Sequence, residues 1–231
     1  MPKHKHIIQN DLLLHYDIGN VRSFKSGSTT ILDLKNTYNG TINGGAAYNT
    51  ANGGCLIFDG VNDYINSGNV SVLGLTNGGT ISIWVYIPSP FVGDDYPNII
   101  SKGGSAGWDT NGWSIYYFKS AAYNPGVSIR NGANIKNLQF PPRTANKFVN
   151  YTSTFGDGYL KYYVDGVLKA QVAVAVNPAS NSDPVTIMRG PTGYYLGGRV
   201  SQAMIYNRTL TATEVLYNYN ATKYRYRIWA Y

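Results

Sequence analysis

Gly53-Gly54-Cys55-Leu56-Ile57-Phe58-Asp59-Gly60-Val61-Asn62-Asp63-Tyr64-Ile65 is the stretch on which the reading of this chain turns. Its apolar run at 55–58, entered from a glycine pair, predicts a short strand. Asp59-Gly60 and Asn62 then supply a turn, because Gly and Asn accept the positive φ that tight turns need. Tyr64 and Ile65 begin a return strand, so the stretch predicts a hairpin.

The same alternation of short strand and turn continues in both directions. Leu12–Asp17 reads as a strand, residues 30–34 as another, and Asn39-Gly40 as a hairpin turn. Residues 80–87 alternate with period two: Ile81, Ile83, Val85 and Ile87 face one way, Ser82, Trp84 and Tyr86 the other. Pro88 and Pro90 stop that strand. Residues 98–101 and 112–118 are predicted strands flanking a Gly-rich loop, and 127–130 with 135–140 form a hairpin across Asn131-Gly132. Residues 148–155, 159–164 and 167–176 read as three consecutive antiparallel strands, with 185–188 and 200–206 as the last of the body. Helix is expected only late. Thr211 and Glu214 form a capping box ahead of an apolar face made by Val215, Leu216 and Tyr219. Residues 224–231 alternate as a strand would.

Composition agrees with an all-β chain. Charged residues make up only 13%, while 26 glycines and 21 tyrosines supply turns and aromatic strand residues. The single cysteine excludes an internal disulfide. Asp11 and His15 interrupt any apolar run after the basic N-terminus, so no secretory leader is expected. No segment is long and apolar enough to span a bilayer, and no membrane partner is expected. A chain made in the cytoplasm, which leaves the cell only within a particle released by lysis, fits these features. Five Asn-x-Ser/Thr sequons carry no meaning without secretion. The net charge of +7 is uneven: residues 1–115 carry −2 and residues 116–231 carry +9. Those basic residues are spread singly along strands, and no nucleic-acid motif accompanies them, so no nucleic-acid partner is expected.

About a dozen strands in roughly 200 residues, closed by one helix, suggest a two-sheet antiparallel jelly roll. Several segments also resemble the concanavalin A-like, laminin G-like (LamG) family. They are Leu12-Leu13-Leu14-His15-Tyr16-Asp17-Ile18-Gly19-Asn20, Leu32-Asp33-Leu34 with Asn39-Gly40-Thr41, and Phe58-Asp59-Gly60-Val61-Asn62-Asp63-Tyr64-Ile65. Thr80-Ile81-Ser82-Ile83-Trp84-Val85, Leu160-Lys161-Tyr162-Tyr163-Val164-Asp165-Gly166 and Ile205-Tyr206-Asn207-Arg208-Thr209-Leu210-Thr211 follow in the family's order. The resemblance implies an N-terminal arm over 1–10, a jelly roll over 11–222 and a tail over 223–231. It is similar to domains found in tailed-bacteriophage structural proteins. Relatives often place an acidic residue, which takes part in calcium binding, just before the last strand. Gly198-Arg199-Val200-Ser201-Gln202-Ala203 has none, which puts calcium in doubt here.

Candidate chemistry is limited by the acids. Glycoside hydrolysis needs two carboxyl groups ~5–10 Å apart across the scissile bond, and enzymes of this fold place two Glu one residue apart on one strand. This chain has one Glu, Glu214, already used as a helix cap, and Asp94-Asp95 are adjacent and diverge in a strand. A non-enzyme is expected, and a polysaccharide hydrolase relying on Glu214 is the weakest reading. His15 reads as a structural residue within a strand and Cys55 as a small core hydrophobe. Asn62 and Asp63 are the only metal candidates; capping of the turn by Asp63 is favoured over calcium. A sugar site is the stronger possibility. Trp108, Asp109 and Asn111 share the Gly-rich loop, with Tyr96 and Tyr123 in other loops, and aromatics plus Asp/Asn are what sugar recognition uses. Trp108 as a cover for the sheet edge fits the same residues. Trp84 and Trp113 lie within strands and are expected to pack. In the tail, Tyr224, Arg225, Tyr226, Arg227, Ile228, Trp229 and Tyr231 form a candidate assembly interface, either with a neighbouring chain or within the same sandwich.

The expectation is a phage virion protein, a capsid decoration, fibre or tail-associated subunit. It would be oligomeric on the particle, dock to other virion proteins and have weak affinity for a host-surface glycan. The alternative is a lectin-like carbohydrate-binding module of a cellular or host-adhesion protein.

Overall fold

A computed structural model describes residues 6–103, 111–118, 124–139, 144–190 and 193–226. In chain order its strands are β1 (Leu12–Asp17), β2 (Thr30–Ile31), β3 (Gly40–Asn43), β4 (Ala47–Asn49), β5 (Cys55–Asp59) and β6 (Tyr64–Asn66). Next come β7 (Gly79–Tyr86), β8 (Asn98–Gly103), β9 (Asn111–Phe118), β10 (Asn124–Asn131) and β11 (Asn134–Gln139). After these follow β12 (Phe148–Phe155), β13 (Tyr159–Val164), β14 (Val167–Ala173), β15 (Val185–Ile187) and β16 (Gly197–Tyr206). One helix, α1, covers Ala212–Thr222. The first sheet runs β14-β13-β12-β7-β16, and β5 and β1 share the far side of β16, with β4 beyond β5. The second runs β11-β10-β9-β8-β15-β6-β3-β2. Neighbouring strands are antiparallel throughout, as in a jelly-roll sandwich.

Period-two patterning builds the interior. On β7, Ile81, Ile83 and Val85 enter the core, and on β9 Trp113, Ile115 and Tyr117 do the same. A register shift between Asn98 and Ile100 turns both Ile99 and Ile100 inward. Each such fully buried aliphatic side chain contributes about 1.5–3 kcal/mol. Polar atoms of the core aromatics are satisfied across the layers: Trp113 Nε1 donates to the Leu73 carbonyl at 2.8 Å, and the Tyr117 and Tyr151 hydroxyls meet at 3.1 Å.

The decisive stretch is not a hairpin. β5 pairs with β4 and β16 in the first sheet, while β6 pairs with β3 and β15 in the second. Residues 60–63 therefore carry the chain from one sheet to the other. Gly60 has the expected positive φ of 77°, but Asn62 does not have one. Asp59 Oδ1 accepts from the N–H groups of Val61, Asn62 and Asp63, and the Asp59 N–H donates to Asp63 Oδ2 at 2.9 Å. This reciprocal pair holds the corner. Asn39-Gly40 is likewise no two-residue turn: strand ends at Ile31, and Gly40 opens β3. The connection is wrapped around the Asp33 carboxylate, which accepts from the His15, Lys35, Thr37 and Tyr38 N–H groups.

The C-terminal region covers the outer face of the first sheet. The capping box forms as read, and Arg208 grips both Glu214 oxygens at 2.9 and 2.7 Å. The inward face of α1 is Val215, Asn218 and Thr222, whereas Leu216 is exposed. Leu216 is displaced because Asn218 and Thr222 bond inward, to the Tyr206 hydroxyl and the Trp84 indole. The tail does not begin as a strand: Lys223–Tyr226 is a 3-10 turn. Tyr226 stacks on Trp84 at 4.0 Å and Arg225 pairs with Asp17 at 2.6 Å, which folds the turn back on its own sheet. Ile7 and Ile8, from the segment expected as an arm, pack against a cluster containing Tyr206, Leu210 and Val215.

Candidate functional site

The outer face of the second sheet carries a belt of small polar side chains in direct cross-strand register. Thr30 pairs with Thr41, Thr41 with Asn66, Asn66 with Thr186, and Thr186 with Ser101. Ser101 then pairs with Ser114, Ser114 with Ser128, and Ser128 with Asn137. Each of the eight strands thus contributes one hydroxyl or amide to a single line across the sheet. The middle four are buried, and Thr30, Thr41 and Asn137 at its ends are exposed. The Ser101 and Thr186 hydroxyls lie 3.4 Å apart, and Thr186 Oγ1 donates to the Arg189 carbonyl at 2.8 Å. Ser128 Oγ, 1% exposed with its residue, has no hydrogen-bond partner.

The rows beside the belt shape it. Asn98 and Tyr116 are paired across β8 and β9, and Tyr116 faces Gly126 across β10. A Cβ on Gly126 would come within 2.8 Å of the Tyr116 ring, so only glycine leaves that ring its seat. Burial pushes the Tyr116 phenol up, opposed by its contact with Gln139 and the charge of Arg130. Both side-chain polar atoms of Asn98 are buried without a partner. On the opposite flank stand Gly103, Gly112 and Arg130. Asn181 closes that end, donating to the Lys102 and Asn111 carbonyls at 3.2 and 3.1 Å. Beneath it Lys102 Nζ donates to Asn69 Oδ1 at 3.0 Å and to the Asp183 carbonyl at 2.5 Å. Burial lowers its pKa, and Asp183 opposes the shift.

An aromatic group borders the β8–β9 end opposite Asn181. Tyr96 meets Phe118 edge-on at 5.3 Å and Tyr194 at 6.0 Å, and Tyr64 lies 6.1 Å from Tyr195. The Arg189 guanidinium lies over Tyr64 at 4.6 Å and Tyr195 at 5.7 Å. Rings, hydroxyls and amides here offer stacking surfaces with donors and acceptors. The eight strands of this sheet contain no Asp or Glu.

Of the five residues singled out from sequence for sugar binding, Tyr96 and Asn111 are among the described residues, and these two lie apart. Tyr96 lies in the aromatic group, but Asn111 is at the other end of β9, about 23 Å away along the strand. Its Oδ1 accepts from the Gly132 N–H at 3.0 Å. Trp108, Asp109 and Tyr123 lie outside the described residues, as do Arg227, Ile228, Trp229 and Tyr231. Asn62 and Asp63 belong to the corner between sheets, and burial raises the Asp63 carboxyl. Among the described residues, no group of three His, Cys, Asp or Glu side chains is placed to hold a metal ion. Trp84 and Trp113 pack as expected, Cys55 is buried, and His15 faces Gln202 at 3.0 Å. Burial lowers the His15 pKa, against the pull of Asp17 and Asp33. Glu214 is held at a pKa of about 2, chiefly by Arg208, whose Nε also lies 3.5 Å from the Asp11 carboxylate. The belt and Arg189 escape a sequence reading, because partners such as Ser101 and Thr186 are 85 positions apart.

Two stacked antiparallel sheets, one backed by a terminal helix and the other lined with hydroxyls and rings, define a lectin-type jelly roll. Residues 59–216 match the family model of the concanavalin A-like lectin/glucanases superfamily, of laminin G type, and the chain belongs to that family. No curated protein matches the sequence. Among solved structures, the chain is similar to the binding domain of Paraclostridial mosquitocidal protein 1, with a TM-score of 0.70 and 16% identity over 91% of this chain and 52% of that one. It is similar to the receptor-binding domain of botulinum neurotoxin C/D mosaic serotype, with a TM-score of 0.71 and 17% identity over 91% and 51%. It is also similar to domain 4 of an extracellular arabinanase from Geobacillus stearothermophilus, solved with arabinotriose, with a TM-score of 0.68 and 16% identity over 92% and 98%. The chain therefore spans about half the length of the toxin binding domains and nearly all of the arabinanase domain. At these identities the likeness is one of fold.

Proposed function

We propose that this chain is a non-catalytic binding module that takes a glycan at the aromatic end of the second sheet. The observation that carries the reading is the cluster of partly exposed rings there: Tyr96 meets Phe118 and Tyr194, and Tyr64 lies beside Tyr195. A saccharide lays its apolar face on such rings, and tyrosine hydroxyls bond its hydroxyls. The middle four residues of the belt are buried and are not part of the contact. The absence of Asp and Glu from these strands leaves no pair of carboxyls for hydrolysis there. The arabinanase domain, solved with an oligosaccharide, has the same fold over nearly its whole length and is consistent with this reading.

A glycan array with the full chain tests the proposal, followed by calorimetry on Tyr96→Ala/Tyr194→Ala. Binding that is lost in the double variant while its unfolding midpoint holds is the expected result. Retained binding in that variant, or no glycan bound by the native chain, overturns it.

A second reading places the module on a phage particle, as the sequence resemblance implies. Tyr224, 60% exposed on the C-terminal turn, favours it, because aromatic side chains are enriched where chains meet. Mass spectrometry of purified virions checks this, and particles without the chain remove it.

A further inference from the structure

We propose that Arg189 is an anion-binding residue and that the glycan taken at the aromatic end of this sheet carries a carboxylate; the proposal rests on the reading above. Arg189 is placed by its neighbours rather than by an acid. Met188, at φ 65°, turns the chain out of β15, and the Thr186 hydroxyl then fixes the Arg189 carbonyl at 2.8 Å. The guanidinium is flanked by Tyr64 at 4.6 Å and Tyr195 at 5.7 Å, and its buried Nε has no hydrogen-bond partner. No ion pair joins it to a carboxylate among the described residues. Asp94 is near in the chain fold, but its Oδ2 accepts from the Tyr195 N–H at 2.6 Å.

Other arginines show what a structural role looks like here. Arg208 is spent on Glu214 and Arg225 on Asp17. Arg199 lies over a single ring, Tyr86, on the first sheet, away from the belt. Arg189 instead sets a guanidinium, without an ion pair among the described residues, between partly exposed rings. A planar guanidinium matches a carboxylate with two parallel N–H···O bonds. Stacking on rings pre-orders the fork, so little freedom is lost on binding. The strands of this sheet contain no acid to compete for it. Uronic-acid polymers have the required chemistry: hydroxyls along the chain and a carboxylate on the ring.

The test is calorimetric titration of the full chain with polygalacturonate, alginate and hyaluronate, set against fully methyl-esterified polygalacturonate and neutral arabinan. At least one carboxylated polymer is expected to bind, with the neutral forms about tenfold weaker or more, as for loss of a charge-assisted pair. Arg189→Gln is expected to weaken the carboxylated polymers at least about tenfold more than the neutral ones, which removes that preference. Preferential binding that survives Arg189→Gln, or a methyl ester that binds as well as the acid, overturns the proposal. Neutral polymers binding alone, with loss in Tyr96→Ala/Tyr194→Ala, would leave the aromatic site standing and refute the carboxylate. Failure of every polymer refutes both. Dextran sulfate binding in place of every carboxylated polymer also overturns it.

Discussion

On the outer face of the first sheet, Ser82 Oγ accepts from Asn150 Nδ2 at 3.0 Å and from Thr152 Oγ1 at 2.9 Å; on the second, the equally buried Ser128 Oγ and Asn98 amide have no partner. Thr80 Oγ1 donates to the Arg208 carbonyl, and the Trp84 indole donates to Thr222, so the helix completes the first face. Thr154 Oγ1 and Gln202 Oε1 are its exceptions. An unsatisfied buried polar group costs about 1–3 kcal/mol. The first sheet has mostly avoided that cost through its own side chains and α1. The second keeps it at Ser128, in the middle of the register line, and at Asn98 beside it.

Substitutions on the two faces separate them. Trp84→Ala removes the ring on which Tyr219 and Tyr226 stack, and is expected to cost about 3–5 kcal/mol in urea unfolding without altering the second sheet. Ser82→Ala strands Asn150 and Thr152 and is expected to cost about 1–3 kcal/mol, whereas Ser128→Ala is expected to be neutral or stabilising by up to about 1 kcal/mol. Equal losses from these two serines would erase the distinction. Thr211→Ala removes the cap of α1 and is expected to cost about 1 kcal/mol by the same measurement.

Acid sharpens the comparison, because Glu214 and His15 both lie on the first face and both have shifted pKa values. Glu214 has a folded pKa of about 2 against an ordinary 4.5, so its contribution is present above 4.5 and is lost as pH falls towards 2. Glu214→Gln should flatten that part of a pH–stability curve. His15 is held neutral below its ordinary 6.5, so the unfolded chain takes up the proton first and stability declines as pH falls below 6.5. His15→Gln should remove that smaller slope. A slope unchanged in both variants would assign the acid sensitivity elsewhere.

Local chemistry made much of this fold readable. β1, β12 and β13 begin and end at the residues expected, and Thr211 and Glu214 form the box their spacing implies. Alternation on β7 correctly separated Ile81, Ile83 and Val85 from Trp84. What was not readable depends on distant pairing. Whether 55–65 folds as a hairpin or crosses between sheets is decided by β16 and β15, more than a hundred residues later. A row defined by register across eight strands has no local pattern, since Ser101, Ser114 and Ser128 are ordinary strand residues until they are aligned. Tyr96 and Asn111 were grouped by loop membership, and strand length then set them apart.

The packing of Ile7 and Ile8 against Tyr206 and of Tyr226 against Trp84 has a practical consequence. Both attachments lie on the helix-covered back of the sandwich. A tether, fluorophore or fused partner joined near either one starts from that back, with the hydroxyl line on the far side. Anchoring the protein to a sensor chip through these ends would therefore hold its second sheet outward, towards the analyte.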